Sequence, residues 1–383
     1  MANTNPRYHI SCFIHPLQNL FHLGHIYVGL CSLRSQRLAI VDFIVPRNRP
    51  SHVCDPVALW AEVTDLRTRQ QLRVAFELYD RSDVFAMDAL TRADVYFKRN
   101  YYQPDMAKVS SELRGKIRPF GLNYPCHTAE SLRATLSRVA ADYGIRFLRS
   151  PLATARMIHR LDLYYFLVGP DVSAFEHAPD QPVQREVHFQ TRVWDQDSLG
   201  PDSHEDVNRP RVELSRLLRR RFGALFLGGI VPSEFARRYC PNDLSNEPTR
   251  RPNYVALSKA AMIGIYTRGL HHSLAFKLGE YLASSKCIVT EPLRNELPSP
   301  LVPGKNYLEF STPQECMQRC EQLLDDAELA NQMRRNNWEY YQQEVRPDRH
   351  VLRCLERAFQ PNVQTYPEKA CPRNVGLACD VLV

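Results

Sequence analysis

The chain has 383 residues, 44% of them apolar and 24% charged, and 49 lysines and arginines against 42 aspartates and glutamates give a net charge of +7. That apolar share supports real cores and excludes a largely disordered or collagen-like chain, while the length favours two domains over one. The mild basic excess suits anionic ligands or an acidic lipid surface and is too small to argue for nucleic acid.

The opening Met1–Arg7 is polar and lacks the apolar core of a signal peptide. From there the first half alternates short apolar runs with amphipathic stretches. Arg7–His15, Leu38–Val45, Leu72–Tyr79, Asp94–Lys98 and Ile117–Leu122 read as strands. Phe21–Leu33 and Ala129–Ala141 read as helices, the latter from Leu132, Leu136, Val139 and Ala140 at helical spacing. Val172–Val183 breaks the pattern and reads as a linker.

A second alternating series follows. Glu186–Trp194, Ala224–Val231, Met262–Thr267 and Cys287–Thr290 read as strands, and Arg209–Phe222, Asn253–Ala261 and Ser273–Ser284 as helices. Thr312-Pro313-Gln314-Glu315 has the form of a capping box, with proline at the first helical position. Helices near Asp326–Gln343 and Val351–Phe359 complete the series, and a loose tail is expected after Pro361. The alternation predicts an α/β protein with two parallel-sheet domains, residues 1–175 and 184–360, followed by the tail 361–383.

Nowhere is there an apolar run of about 18 residues, so no transmembrane helix is expected and the chain is read as cytoplasmic. The 11 cysteines are scattered without a CxxC pair, so they read as packed thiols rather than zinc ligands or disulfides. No glycine-rich dinucleotide fingerprint or P-loop follows any strand, which sets nicotinamide and phosphate-loop chemistry aside. In open parallel sheets ligands bind beyond the carboxyl ends of strands, so the informative segment is Met262–Pro298. There a strand runs into Arg268-Gly269-Leu270-His271-His272, and Ser273 is placed to cap the next helix. Leu274, Leu278, Tyr281 and Leu282 form its buried stripe. Taken alone, Lys277 and Glu280 read as a solvated helix pair of small worth.

The run KLGEYLASSKCIVTEPLRNELP resembles the nucleotide-sugar-binding region of group 1 glycosyltransferases of the GT-B fold, two Rossmann-like domains facing across a cleft. The resemblance extends through GKNYLEFSTPQECMQRCEQLLDDAELANQMRRNNWEYYQ and covers about Val187 to Phe359. It implies transfer of a sugar from a nucleotide-sugar donor to a glycan or lipid-linked acceptor, with no cofactor beyond that co-substrate and no metal. Glu280 matches the second of two family glutamates and by resemblance holds the donor ribose. The first glutamate falls on His272, which either donates to a sugar hydroxyl or phosphate or merely packs. Phe189-Gln190-Thr191-Arg192-Val193 resembles the first strand and loop of the nucleotide-binding domain, which makes Arg192 a candidate for the diphosphate. Arg211 and Lys277 are further donor-site cations, and Ser273 stands at the start of the helix.

The amino domain is quieter. Asp80, ending its strand, and His25, near the loop after the first strand, are the candidates for activating an acceptor hydroxyl, with His22 beside them. Lys98 and Arg99 either face an anionic acceptor or pair internally. Arg216, Arg219, Arg220 and Arg221 give one helix a basic face, which suggests either a solvated surface or peripheral contact with the inner membrane surface. Two other readings share the scaffold: a non-catalytic sugar-nucleotide binder and a sugar-nucleotide epimerase.

Overall fold

The protein is described by a computed structural model covering residues 5–14, 18–45, 55–135, 137, 148–152 and 169–361. The expected tail, from residue 362, and part of the expected helix Ala129–Ala141 lie outside the described residues.

In the first lobe β1 (Tyr8–Phe13), α1 (Leu20–Ser35), β2 (Ala39–Ile44), β3 (Ala58–Asp65), β4 (Gln71–Glu77), α2 (Met87–Arg92), β5 (Val95–Lys98) and β6 (Ile117–Pro119) build a six-stranded sheet of order β2-β1-β3-β4-β5-β6. Every pairing is parallel except those of β3, which runs antiparallel to β1 and β4. The sequence reading did not assign β3. Its direction follows from its connection: only Leu66–Gln70 separate it from β4, too few residues for a parallel crossover. Asp65 shapes that turn by accepting from the amide of Arg67 at 2.8 Å. The residues of β1 alternate between buried and half-buried, so Tyr8, Ile10 and Cys12 enter the core beneath α1.

In the second lobe β7 (Gln184–Thr191), α3 (His204–Phe222), β8 (Phe226–Ile230), α4 (Arg251–Ala260), β9 (Ala261–Tyr266), α5 (Phe276–Ala283), β10 (Cys287–Thr290) and β11 (Leu308–Glu309) form an all-parallel sheet of order β11-β10-β9-β7-β8. The strand order reverses between β7 and β9, which is the switch point where such sheets leave a crevice for ligands. Both lobes are open α/β sheets, the second wholly parallel, which is the kind of architecture the resemblance to the GT-B fold implies.

The helices α6 (Pro313–Asp325), α7 (Ala327–Tyr340) and α8 (Pro347–Ala358) end the described chain. The capping box forms: the Glu315 amide donates to Thr312 Oγ1 at 3.2 Å, and the Glu315 carboxylate accepts from Ser311, one residue before the cap. Helix α8 leaves the second lobe and packs on the first, where Val351, Cys354, Leu355 and Ala358 join the core beneath α1. Gly29 makes that approach possible, because a Cβ there would stand 2.4 Å from the Pro347 carbonyl. The second lobe as expected, ending at residue 360, therefore contributes its last helix to its partner lobe.

The expected linker is packed. Val172–Phe175 forms a helical turn capped by Asp171, and the His177 amide donates to the Ala283 carbonyl at 3.0 Å. Phe175, Tyr124 and Val28 join Leu278, Tyr281 and Tyr341 in an apolar cluster shared by both lobes. Among the described residues no helix is long and apolar enough to cross a membrane.

Candidate functional site

Loops at the carboxyl ends of β7 and β9 bring the cations together. Lys277, in the first turn of α5, donates to the carbonyl of Gln190 and so bridges the switch point. It is half-buried, and its ammonium is pushed down to about 7, first by burial and then by the neighbouring Arg211 and Arg192. Arg211 is buried and donates to the carbonyls of Arg192 at 2.8 Å and Arg268 at 2.6 Å, tying the two strand-end loops together. Burial lowers its guanidinium to about 10. Arg192 is exposed at the end of β7, its guanidinium 5.9 Å from the Trp194 ring centroid.

The helix carrying Lys277 begins later than expected. It starts at Phe276, its N-cap is Ala275, and no side chain caps it. Ser273 therefore is not the cap. It lies buried upstream, where its carbonyl accepts from the Gly269 amide at 2.9 Å. A turn at Leu270–His272 intervenes, with His271 and His272 at φ 55° and 58°. Two consecutive left-handed non-glycine residues cost about 1 kcal/mol or more each and persist only where their surroundings hold them. Asp202 accepts from the His271 amide at 2.6 Å, and Asn295 donates to the His272 carbonyl at 2.6 Å. The His272 ring is exposed, and its pKa is lowered by partial burial and by Arg268 and Arg294.

Glu280 does not pair with Lys277. Its carboxylate is 4% exposed and meets the guanidinium of Arg251, at the start of α4. Arg251 lies 5.3 Å from the Phe175 ring centroid and 5.5 Å from that of Tyr254. Glu280 Oε2 and Arg251 Nε are both buried without a hydrogen-bond partner.

Across the crevice, Asp80 lies in the loop after β4, half exposed, with Arg99 donating to it at 2.7 Å. Beneath it Lys98 and Glu77 form a fully buried pair at 2.6 Å, and Lys98 also donates to the Val84 carbonyl at 2.7 Å. Lys98, ending β5, and Arg99, just after it, therefore both pair internally. His25 is withdrawn from the crevice: it is fully buried on α1, and its Nε2 lies 3.0 Å from Nδ1 of His350. His350 Nε2 donates to the Phe120 carbonyl at 2.8 Å, which leaves its Nδ1 as the acceptor for His25. Burial and the neighbouring His350 hold His25 well below the usual histidine range. An acceptor hydroxyl cannot reach it, so His25 is corrected from a candidate base to a core residue. His22 instead lies near the lobe junction, its ring centroid 5.4 Å from that of Phe276.

An Asp-x-Asp triplet, Asp195-Gln196-Asp197, follows β7, and Asp195 Oδ1 accepts from the Ser198 amide at 2.8 Å to cap a short turn. Among the described residues no three histidine, cysteine or acidic side chains gather as a metal-binding group. On the basic helix, Arg216 binds Asp243 at 2.8 Å, Arg219 donates to the Leu244 carbonyl at 3.2 Å, and Arg221 meets Glu321. These contacts engage most of the face expected to meet a membrane.

The sequence reading missed Arg251, Arg268, Asn100 and Asn295. The one local signal was Arg250-Arg251-Pro252, two cations before a helix-opening proline.

Comparison with solved structures finds similarity to a glycosyltransferase from Rickettsia africae at 11% identity, covering 94% of this chain and 100% of that one with a TM-score of 0.40. The C-terminal domain of a group 1 family glycosyl transferase from Francisella tularensis is similar at 11% identity, over 46% of this chain and 98% of that one, with a TM-score of 0.33. A UDP-GlcNAc 2-epimerase from Neisseria meningitidis, bound to UDP-GlcNAc, is similar at 13% identity, over 70% of this chain and 62% of that one, with a TM-score of 0.34. No curated protein matches the sequence. Residues 214–356, from the middle of α3 to α8, match the family model described as Glycosyl transferase-like.

Proposed function

We propose that this protein is a glycosyltransferase that takes a nucleotide-diphosphate sugar in its second lobe and passes the sugar to a glycan or lipid-linked acceptor held by the first. One observation carries the reading. Within the segment of glycosyl transferase-like sequence, Lys277 reaches across the switch point to the end of β7, beside Arg211 and Arg192.

A departing nucleotide diphosphate gains negative charge as the glycosidic bond breaks. Fixed cations near that position stabilise the transition state more than the ground state. Arg192 and Lys277 would meet the phosphates, while Arg211 holds the loops that present them. Glu280, with Arg251, would receive the ribose hydroxyls. The loop after β4, bearing Asp80 braced by Arg99, would face the acceptor. In this proposal the protein's own cations take the place of a divalent ion.

A second reading, a sugar-nucleotide binder without turnover, is favoured by the fate of the candidate bases, since His25 is sealed and Asp80 is tied to Arg99. One plate separates the outcomes. Melting is measured with UDP, GDP, ADP, TDP and CMP, because a ligand bound only by the native state raises the midpoint. A rise with one base names the donor class, and release of free nucleotide from the matching sugar donor then distinguishes enzyme from binder. No rise with any nucleotide sinks both readings.

A further inference from the structure

The loop entering α5 is built by the other lobe. Asn100, fully buried after β5, accepts from the Leu274 amide with its Oδ1 at 2.7 Å. Arg99 donates to the Leu274 carbonyl at 2.6 Å, and its guanidinium lies 4.2 Å from the Phe276 ring centroid. Both backbone polar groups of Leu274 are thus held by side chains about 175 residues earlier in the chain. The same seam continues through a bond from the Glu296 amide to the Tyr101 carbonyl at 2.8 Å and an ion pair from Arg294 to Asp105 at 3.3 Å. Asn295 grips the His272 carbonyl and lies 3.4 Å from Asn100 Oδ1.

Helix α5 has no capping side chain of its own, and its entry contains the left-handed pair His271–His272. Such a segment relaxes unless something outside it sets its shape. We infer that Asn100, together with Arg99, is a positioning residue for the donor site. By holding Leu274, the first lobe fixes where α5 begins and therefore where Lys277 and Glu280 stand. The effect on nucleotide affinity rests on the proposed function, whereas the clamp on the loop does not.

The test uses the full chain with Asn100→Ala, Asn100→Asp and Asn295→Ala. Aspartate keeps an oxygen to accept from the Leu274 amide but loses the bond from Asn100 Nδ2 to the Tyr79 carbonyl at 2.8 Å, and alanine loses both. Amide exchange across residues 269–277 reads the loop, and titration with the nucleotide diphosphate that best stabilises the wild type reads the site. In Asn100→Ala, exchange at Leu274 and its neighbours accelerates about tenfold and nucleotide affinity falls about tenfold, with a cooperative melt retained. Asn100→Asp restores part of each, since the bond from the Leu274 amide returns and the one to the Tyr79 carbonyl does not. Should Asn100→Ala fail to fold, Asn295→Ala, which frees the His272 carbonyl, is expected to show the same two changes.

Faster exchange with unaltered affinity overturns the positioning role. If the wild type binds no nucleotide, the proposed function falls and exchange alone decides the clamp: unchanged protection of 269–277 in Asn100→Ala refutes it.

Discussion

Glu280 and Arg251 lie 29 residues apart in sequence and meet as an ion pair in the second lobe, with one carboxylate oxygen left unpartnered. Breaking such a pair from either side leaves a charge with little water around it. Arg251→Met is expected to cost about 3 kcal/mol in urea unfolding, somewhat less than a fully buried pair because the guanidinium retains partial exposure. Glu280→Ala is expected to weaken nucleotide binding by about tenfold or more while the fold survives. In a double-mutant cycle the two changes should be less than additive by about 1–3 kcal/mol. Strict additivity would show that the two side chains do not act together.

Lys277 offers a pH test with opposed signs. Its pKa stands at about 7 in the folded chain against the ordinary 10.5, so above pH 7 the unfolded chain binds more protons. Ligand-free stability should therefore rise between pH 7 and 10.5, because the cost of a poorly hydrated ammonium disappears. Diphosphate binding needs that ammonium charged, so affinity should fall about tenfold between pH 7 and 8.5. Calorimetric titration of the wild type beside Lys277→Met checks this, and the variant should show a flatter profile and weaker binding throughout.

The pair Lys98–Glu77 supports the loop that carries Asp80, and both side chains are fully buried. Glu77 also accepts from the Tyr96 hydroxyl at 3.1 Å and from the Tyr79 amide. Lys98→Met alone should cost about 3–5 kcal/mol, because it strands the carboxylate. Adding Glu77→Leu should recover part of the loss. Chemical denaturation of the single and double variants gives the comparison, and a double variant weaker than the single would contradict it.

His25 and His350 should make the first lobe acid-sensitive. Burial lowers both rings, His350 to about 4, and His25 well below the ordinary histidine range with the neighbouring His350 as a second cause. Below about pH 6.5 the unfolded chain takes up protons that the folded chain refuses, so stability falls as pH drops from 6.5 toward 4. For His350 alone the loss should reach about 2 kcal/mol by pH 5, and His25 adds to it in the same direction. Replacing His350 by Gln should flatten that slope relative to the wild type. A wild-type and variant pair with equal slopes would place the acid sensitivity elsewhere.

Much of the fold was legible because its signals are local. Alternation in Tyr8–Phe13 and Ala39–Ile44, helical spacing in the second half, and the Thr312–Glu315 box each lie within a few residues, so they survive reading in one dimension. β3 escaped notice, and with it the short connection to β4 that makes it antiparallel. The start of α5 was misplaced for a related reason: Ser273 has the chemistry of a cap, but Tyr266, Asn100 and Asn295 decide the path of that loop from elsewhere.

Sequence by itself determined the two-lobed α/β architecture and the segment bearing the glycosyltransferase resemblance, since hydrophobic period and turn chemistry are near-neighbour properties. Tertiary structure alone decided the partners of the polar groups. It gave Glu280 to Arg251 rather than Lys277, Asp80 to Arg99, His25 to His350 and Leu274 to Asn100. A buried polar group must find a partner wherever packing brings one, and that meeting depends on how two sheets and a returning helix come together.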